Sequence, residues 1–258
     1  MLVDSHCHLE YEGVVEDQAD ILERARGAGV RTFLNISTKR SEWQQVVATA
    51  EAQPDVYASV GIHPHNADDH ANLQRGELFE ATQNPRVIGI GETGLDYYYD
   101  HSDRACQQKL FRLHIDVARE TGLPVIIHTR DAEEDTIRIL TEEMGKGAFP
   151  ALIHCFTASA EFGKKVLGLG LSISLSGIVT FKNAKDLQAV ARTIPQDRLL
   201  IETDSPFLAP VPHRGRPCEP GFVRDTAAFV ADLRGETLEE LARYTTDNFH
   251  RLFAKAAA

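Results

Sequence analysis

Long apolar runs are absent from this sequence. None approaches the roughly 20 consecutive apolar residues that a membrane-spanning helix needs, and no signal-peptide pattern precedes Asp4. Apolar residues make up 43% of the chain and charged residues 25%, which is typical of a soluble globular protein. We therefore expect a cytoplasmic protein that does not associate with membranes.

Cysteine is scarce and scattered. The chain holds four cysteines, none of them in a C-x-x-C pair: Cys7, Cys106, Cys155 and Cys218. This scatter argues against disulfides and against thiol catalysis. Cys7 and Cys155 each lie next to a histidine at the end of a predicted strand. The alternation of a strand predicts that both thiols face away from those histidines and pack as small apolar side chains.

Positive charge is in deficit. The chain has 27 Lys and Arg residues against 38 Asp and Glu residues, which gives a formal net charge of −11. Proteins that bind nucleic acid through overall charge are usually basic, so any nucleic-acid role here must depend on a local site. A local cationic site is compatible with the acidic surface, because the Debye length is only about 8 Å at physiological ionic strength.

A glycine-rich phosphate fingerprint is missing after the first apolar run, which argues against an open dinucleotide-binding sheet. Instead, eight short apolar runs alternate with amphipathic stretches. The predicted strands are 2–3, 31–36, 56–61, 87–91, 124–127, 151–153, 171–175 and 199–201. The predicted helices are 16–28, 41–52, 74–83, 103–121, 132–144, 160–169 and 184–193, with 221–233 and 237–255 after the last strand. The tail 254–258 is expected to be frayed.

These repeats predict an α/β fold. The strands are nearly continuous apolar runs, as expected for a parallel sheet that is covered on both faces. Eight β–α repeats in 258 residues match the roughly 250 residues of a typical (β/α)₈ barrel. We therefore expect one domain over residues 1–258, a single TIM barrel with an extra C-terminal helix.

Histidines and carboxylates collect at the predicted strand ends. His6 and His8 close the first strand and point the same way, because side chains on a strand alternate faces. Six of the eleven histidines occupy such positions, far more than chance scattering would place there. In a barrel these ends form one rim, where active sites are built.

The rim supplies more ligands than one catalytic metal needs, since such an ion typically takes three protein ligands. The candidate ligands are His6, His8, Glu92, His128, His154 and Asp204. We expect two divalent ions, one held by His6, His8 and Asp204 and the other by His128 and His154, with Glu92 bridging them. A metal-activated hydroxide would then attack the substrate, and Asp204 could accept the proton of the water.

Other rim residues have two interpretations each. His63 and His65 either contact a phosphate or support the ligands, and Asp96 could orient a ligand histidine. Arg130 and the loop 212–216, with Arg214, either bind phosphate or form a solvated surface. The aromatic residues Tyr97, Tyr98, Tyr99 and Phe156 either stack on a base or pack as a cluster.

These motifs together resemble the TatD family of metal-dependent deoxyribonucleases. The resemblance extends from residue 4 to Phe249, and it also includes the loop 212–215. Its most specific parts are 91–96 and 202–206. The matching stretches are 4–8, 61–65, 91–96, 128–130, 154–156 and 202–206.

The resemblance implies a TIM-barrel hydrolase of the amidohydrolase superfamily. It implies a nuclease that uses Mg²⁺, Zn²⁺ or Mn²⁺ and trims single-stranded DNA or frayed 3′ ends as a 3′–5′ exonuclease. The same six ligands carry over, and His63 carries over as a substrate-proximal residue, counted as catalytic with Glu92 and Asp204. We expect a monomer. Cys218 departs from the asparagine that many relatives have in the basic loop.

Two other functions compete with this prediction. The same rim could hydrolyse a small amide, ester or lactone, because one fold hosts many reactions. The metals could instead stabilise a scaffold that binds a partner. Structural zinc sites are usually closed and four-coordinate, whereas six ligands at an open rim are typical of catalysis.

Overall fold

The computed structural model describes residues 1–257 and contains one eight-stranded parallel sheet, in which each strand pairs with the next in chain order. The strands are β1 (Leu2–Cys7), β2 (Val30–Asn35), β3 (Val56–Val60), β4 (Val87–Asp96), β5 (Val125–Arg130), β6 (Ala151–Ile153), β7 (Ser172–Leu175) and β8 (Leu199–Ile201). The barrel closes where Cys7 bridges Ser205. At this seam, Asp204 N donates to His6 O over 2.9 Å and His8 N donates to Ser205 O over 2.8 Å.

Nine α-helices lie outside the sheet within residues 1–257. They are α1 (Gln18–Gly27), α2 (Trp43–Ala52), α3 (Arg75–Ala81), α4 (Arg104–Thr121), α5 (Glu133–Lys146), α6 (Ala160–Gly168), α7 (Lys185–Ala191), α8 (Val223–Arg234) and α9 (Leu238–Leu252). This arrangement confirms the predicted TIM barrel with its extra C-terminal helix. None of these helices combines the length and the apolarity that crossing a membrane requires.

Local sequence signals set the helix ends. The Asp103 carboxylate accepts hydrogen bonds from Ala105 N and Cys106 N and so caps the start of α4. The helix ends at Gly122, whose φ of 72° is the left-handed conformation that glycine adopts readily. In α9, Thr237 and Glu240 form a reciprocal capping box. The helices pack on the sheet through buried side chains that include Leu22, Val46, Phe111, Ile139, Val166 and Val230.

The barrel interior is apolar at the end where the strands begin. Phe249 and Phe253 from the C-terminal end of the chain close that end, and we call this cluster the apolar plug. Even a Cβ on Gly89 would lie 3.1 Å from the Phe253 ring, so the packing is tight. The plug comprises Val3, Leu34, Ile36, Ile88, Ile126, Leu152, Leu200, Phe249, Phe253 and Ala256.

The expectation of a frayed tail is wrong for residues 254–257. These residues form a 3₁₀ turn. Tyr57 Oη donates to Ala256 O over 2.9 Å, and Lys255 Nζ donates to Thr82 O and Asn84 O over 2.9 and 2.8 Å. The tail is ordered because it covers the apolar plug, a tertiary contact that local composition does not predict. Ala258 lies outside the described residues.

Candidate metal centre

The carboxyl ends of the strands enclose a cleft of about 740 Å³. Glu92, which is 3% exposed, stands at its centre. The six predicted ligands lie close together here, although they come from five different strand ends. Each contacts Glu92 or another of the six. They are His6, His8, Glu92, His128, His154 and Asp204.

One group of side chains faces Glu92 Oε2. His6 Nε2 and His8 Nε2 lie 3.4 and 3.9 Å from this oxygen and 3.2 Å from each other. Asp204 Oδ1 lies 3.6 Å from His6 Nε2 and 3.4 Å from His8 Nε2. Two ring nitrogens and two carboxylate oxygens therefore converge on one point.

A second group faces the other oxygen of the same carboxylate. Glu92 Oε1 lies 2.7 Å from His154 Nε2 and 3.2 Å from His128 Nδ1. His63 Nε2 is also close to Oε1, at 3.4 Å. Glu92 thus stands between two sets of imidazoles, one on each oxygen.

The outward-facing ring nitrogens of three histidines donate to oxygens that can only accept. His8 Nδ1 donates to Ile36 O over 3.2 Å and His128 Nε2 donates to Asp96 Oδ2 over 3.0 Å. His154 Nδ1 donates to Glu202 Oε1 over 3.2 Å. In the neutral ring the other nitrogen then has a lone pair aimed at the centre, as in metal-ligating histidines.

His63 has the opposite arrangement. Its Nδ1 accepts a hydrogen bond from His65 N over 3.1 Å, so the neutral ring carries its proton on Nε2. Burial lowers the pKa of His63 to about 4, which keeps the ring neutral at pH 7. His63 therefore presents an N–H donor to the cleft, whereas His128 and His154 in their neutral form would present lone pairs.

Backbone geometry brings these groups together. Gly94 has φ of 134°, and a Cβ there would collide with the carbonyl oxygen of His128. Only glycine lets β4 approach β5 this closely, and this approach carries Glu92 to His128. Asp204, three residues after the end of β8, adopts a left-handed φ of 61°, and its N–H donates to His6 O.

The electrostatics of the centre favour cations. Burial alone would raise the pKa of Glu92, but His154, His63 and His128 outweigh burial and hold that pKa well below its usual range. Burial also opposes ionisation of Asp204, yet its hydrogen bond with His8 lowers its pKa overall. Conversely, burial disfavours the charged form of His154, but the negative charges of Glu92 and Glu202 raise its pKa well above the usual value.

The residues fit a divalent metal. Buried acceptor atoms this close to one another are costly unless a cation lies between them. Imidazole nitrogens and carboxylate oxygens are the ligand types that Zn²⁺ and Mn²⁺ accept. The groupings close enough to hold an ion are His6–His8–Glu92, His63–Glu92–His128 and His6–His154–Glu202.

The remaining predicted residues divide between the cleft and its surroundings. His65 lines the cleft and shares Asp96 with His128, since His65 Nε2 lies 2.9 Å from Asp96 Oδ2. Arg130 also lines the cleft. The Arg214 guanidinium instead lies 4.0 Å from the centroid of the Phe181 ring, and Arg214 is not among the residues that line the cleft.

The predicted orientation of Cys155 is wrong. Cys7 does face away from the centre, and its Sγ donates to Leu34 O over 3.4 Å. Cys155, however, has a left-handed φ of 43°, which breaks the strand alternation on which the prediction depended. Its Sγ lies 3.1 Å from Ser176 Oγ, and the residue lines the cleft.

Sequence reasoning missed several residues of the site. Glu202 is fully buried and supports His154, a role that its place in the stretch 202–206 does not reveal. Tyr11 and Phe207 line the cleft. Tyr11 follows the predicted ligand His8 by three residues, and Phe207 follows Asp204 by three. This short spacing could have indicated both residues, because a chain of three residues stays close to the rim.

Comparisons with known proteins agree with this geometry. The model of the family described as TatD related DNase matches residues 3–254. The Escherichia coli K12 protein named "Uncharacterized metal-dependent hydrolase YcfH" is 46% identical over 255 residues, which cover 98% of this chain and 95% of that protein.

Two further relatives extend the comparison. A protein of Erwinia tasmaniensis named "3'-5' ssDNA/RNA exonuclease TatD" is 36% identical over 244 residues, covering 92% of this chain and 94% of that one. The crystal structure of the TatD homologue YjjV from Escherichia coli K12 superposes with a TM-score of 0.91 at 28% identity, covering 98% of both chains.

Proposed function

Since the chain belongs to the TatD related DNase family of metal-dependent hydrolases, we propose that it hydrolyses phosphodiester bonds in DNA with two divalent ions. The observation that carries this proposal is Glu92, because each of its two oxygens faces a separate set of imidazoles. A carboxylate shared in this way suits a pair of ions.

We assign the ions as the contacts suggest. His6, His8 and Asp204 would hold the first ion, His128 and His154 the second, and Glu92 both. The candidate ions are Mg²⁺, Mn²⁺ and Zn²⁺. When bound, such ions lower the pKa of water and stabilise negative charge on phosphoryl oxygens.

The chain's own residues then supply binding and proton transfer. Asp204 is ionised and its side chain is 15% exposed, so it can reach the cleft and accept a proton from the attacking water. The Nε2–H of neutral His63 can donate to a phosphate oxygen, which supports the role of His63 as a substrate contact. His65 and Arg130 line the same cleft and offer further donors.

Single-stranded DNA is the proposed substrate, with cleavage proceeding from a free or frayed 3′ end. The exonuclease name of the Erwinia tasmaniensis relative supports this choice. An open rim also admits a flexible strand end more readily than a rigid duplex. Arg130 lies on this rim and adds positive charge to a chain that is acidic overall.

A panel of substrates tests the proposal. Chelated protein with each metal added back is mixed with end-labelled single-stranded DNA, duplex DNA and RNA, alongside simple esters and lactones. We expect single-stranded DNA to shorten stepwise from its 3′ end only when metal is present. Turnover of esters or lactones without cleavage of any strand would instead support a small-molecule hydrolase.

Matched variants locate the activity. Asp204→Asn should abolish cleavage while leaving the fold intact, as judged by circular dichroism. Asp197→Asn alters an exposed aspartate outside the cleft and serves as the control. Unchanged metal-dependent cleavage in Asp204→Asn would refute the assignment of Asp204.

A further inference from the structure

Exposed apolar side chains concentrate on the active rim. Within residues 1–257, six large apolar or aromatic side chains are exposed: Met1, Val15, Tyr98, Tyr99, Phe207 and Val211. Apart from Met1, all of them lie on loops that follow β1, β4 or β8. The loops at the opposite end of the barrel carry no such side chains in the described part of the chain. Two of the six, Tyr99 and Phe207, line the cleft itself.

Tyr11 and Phe207 form one side of the cleft, which we call the first wall. Their ring centroids are 5.5 Å apart with planes at 76°, and Tyr11 also packs edge-on to His8 at 4.8 Å. Phe207 is 48% exposed although it stands this close to the metal centre. The first wall thus continues from a candidate ligand to an open aromatic face.

Tyr99 and Arg130 form the second wall. The Arg130 guanidinium carbon lies 4.7 Å from the centroid of the Tyr99 ring, which is 48% exposed. Tyr99 also packs edge-on to His65 at 5.2 Å. Arg130 forms no ion pair within residues 1–257, unlike Lys39, whose Nζ lies 3.2 Å from Glu42. The guanidinium carbon also lies 3.9 Å from the centroid of the Tyr98 ring, so Arg130 offers a ligand its positive charge, while the exposed ring of Tyr99 offers the stacking surface.

The two walls stand on opposite sides of the metal centre. The first wall follows β1 and β8, and the second follows β4 and β5. In the closed order β1 to β8 these two pairs of strands are four strands apart in either direction. A ligand that spans the centre therefore meets an aromatic surface on each side.

We propose that the cleft binds two adjacent nucleotides of a single strand, with one base on each wall and the phosphodiester between them at Glu92. This inference rests on the proposed function. Nucleobases stack on aromatic rings with little sequence preference. A phosphate between two bases also carries the negative charge that the unpaired Arg130 would attract. A small ester or lactone has no second ring with which to occupy both walls.

Abasic substrates test the two-wall arrangement. A short single strand is compared with strands in which the terminal or the penultimate 3′ nucleoside is replaced by an abasic tetrahydrofuran unit, and kcat/KM is measured for removal of the last residue. Each missing base should lower kcat/KM roughly tenfold to hundredfold, in line with the stacking of one base on an aromatic side chain.

Wall variants then assign each base to a wall. Phe207→Leu and Tyr99→Leu keep apolar bulk but remove the ring. Each should erase the penalty of one abasic position and leave the other penalty unchanged. Val211→Ala is the matched control, because Val211 is an exposed apolar residue on the same rim that does not line the cleft, and it should retain both penalties.

The possible results separate the two proposals. If intact and abasic strands are cleaved at equal rates, or if both wall variants retain both penalties, the two-wall arrangement is overturned while the nuclease function stands. If no strand is cleaved under any metal condition, the proposed function itself fails and the inference falls with it.

Discussion

The same strands build both ends of the barrel interior, with apolar side chains at one end and with imidazoles and carboxylates at the other. β1 contributes Val3 to the apolar plug and His6 to the metal centre. β5 likewise contributes Ile126 at one end and His128 at the other. Buried apolar area stabilises the fold, whereas crowded imidazoles and carboxylates oppose it until a cation is present. The plug therefore supplies stability that the metal centre does not.

The largest expected effect tests the metal end alone. Glu92→Gln removes the negative charge shared by both groups of imidazoles, and we expect metal affinity to fall by more than about 100-fold, since even residues that only orient ligands contribute 10–100-fold. Isothermal titration with Mn²⁺ measures the change. Glu80→Gln, at an exposed carboxylate, should bind as the parent does. Equal affinity in Glu92→Gln would show that Glu92 is no ligand.

The second effect tests the plug alone. Phe253 is fully buried, and Phe253→Ala should lower the free energy of unfolding by about 3–5 kcal/mol. Urea denaturation of the chelated protein measures this loss. Metal affinity should stay within about twofold of the parent, because Phe253 lies at the opposite end of the barrel interior from the candidate ligands. A large loss of metal affinity in the folded variant would contradict the separation of the two ends.

A smaller effect tests whether metal binding depends on residues that orient the candidate ligands. Asp96 accepts from both His65 and His128, so Asp96→Asn should weaken metal binding roughly 10–100-fold by loosening His128. The loss should be smaller than in Glu92→Gln. If titration gives the parent affinity, Asp96 does not orient His128.

The smallest effect concerns pH and a histidine of α4 that supports the rim. His114 Nε2 accepts from Ile62 N over 3.0 Å and its Nδ1 donates to Leu110 O over 2.7 Å. Burial lowers its pKa to about 4. The unfolded chain then binds the proton more tightly than the folded chain, so the stability from this group is complete above about pH 6.5 and is lost as the pH falls towards 4.

The pH dependence that His114 contributes to the free energy of unfolding is measurable. Between pH 7 and pH 5, the chelated parent should lose about 2 kcal/mol of unfolding free energy through His114. His114→Gln can keep both hydrogen bonds without titrating. The free energy of unfolding of this variant should therefore fall by about 2 kcal/mol less than that of the parent between pH 7 and pH 5. Parallel pH profiles of the two proteins would exclude this role for His114.

The sequence allowed much of this architecture to be predicted, for reasons visible in single strands. Six of the eight strands are apolar runs that end in a His, Glu or Asp, so the apolar run locates the strand and the residue after it locates the rim. The ends were less accurate. The apolar run 2–3 marks only the start of β1, which continues to Cys7. The polar residues Asp4 and Ser5 belong to the strand because they are buried and bonded across the seam to Thr203 and Ile201.

What could not be predicted depends on contacts between distant residues. The spacing of apolar residues in α9 predicts a helix, but not that Phe253 enters the barrel. The basic loop predicts positive charge on the rim, but not that Arg214 lies against Phe181 instead of in the cleft. The reversal of Cys155 follows from one left-handed residue, and the sequence carries no local glycine or asparagine to signal it.

The seam between the first and last strands has a consequence for how the protein is made. His6 emerges from the ribosome before Asp204, whose amide holds His6 in place and which follows it by 198 residues. A nascent chain that has not yet passed Asp204 therefore lacks one of the candidate ligands and the amide that holds another. The candidate metal centre can be complete only after both sides of the seam have been synthesised.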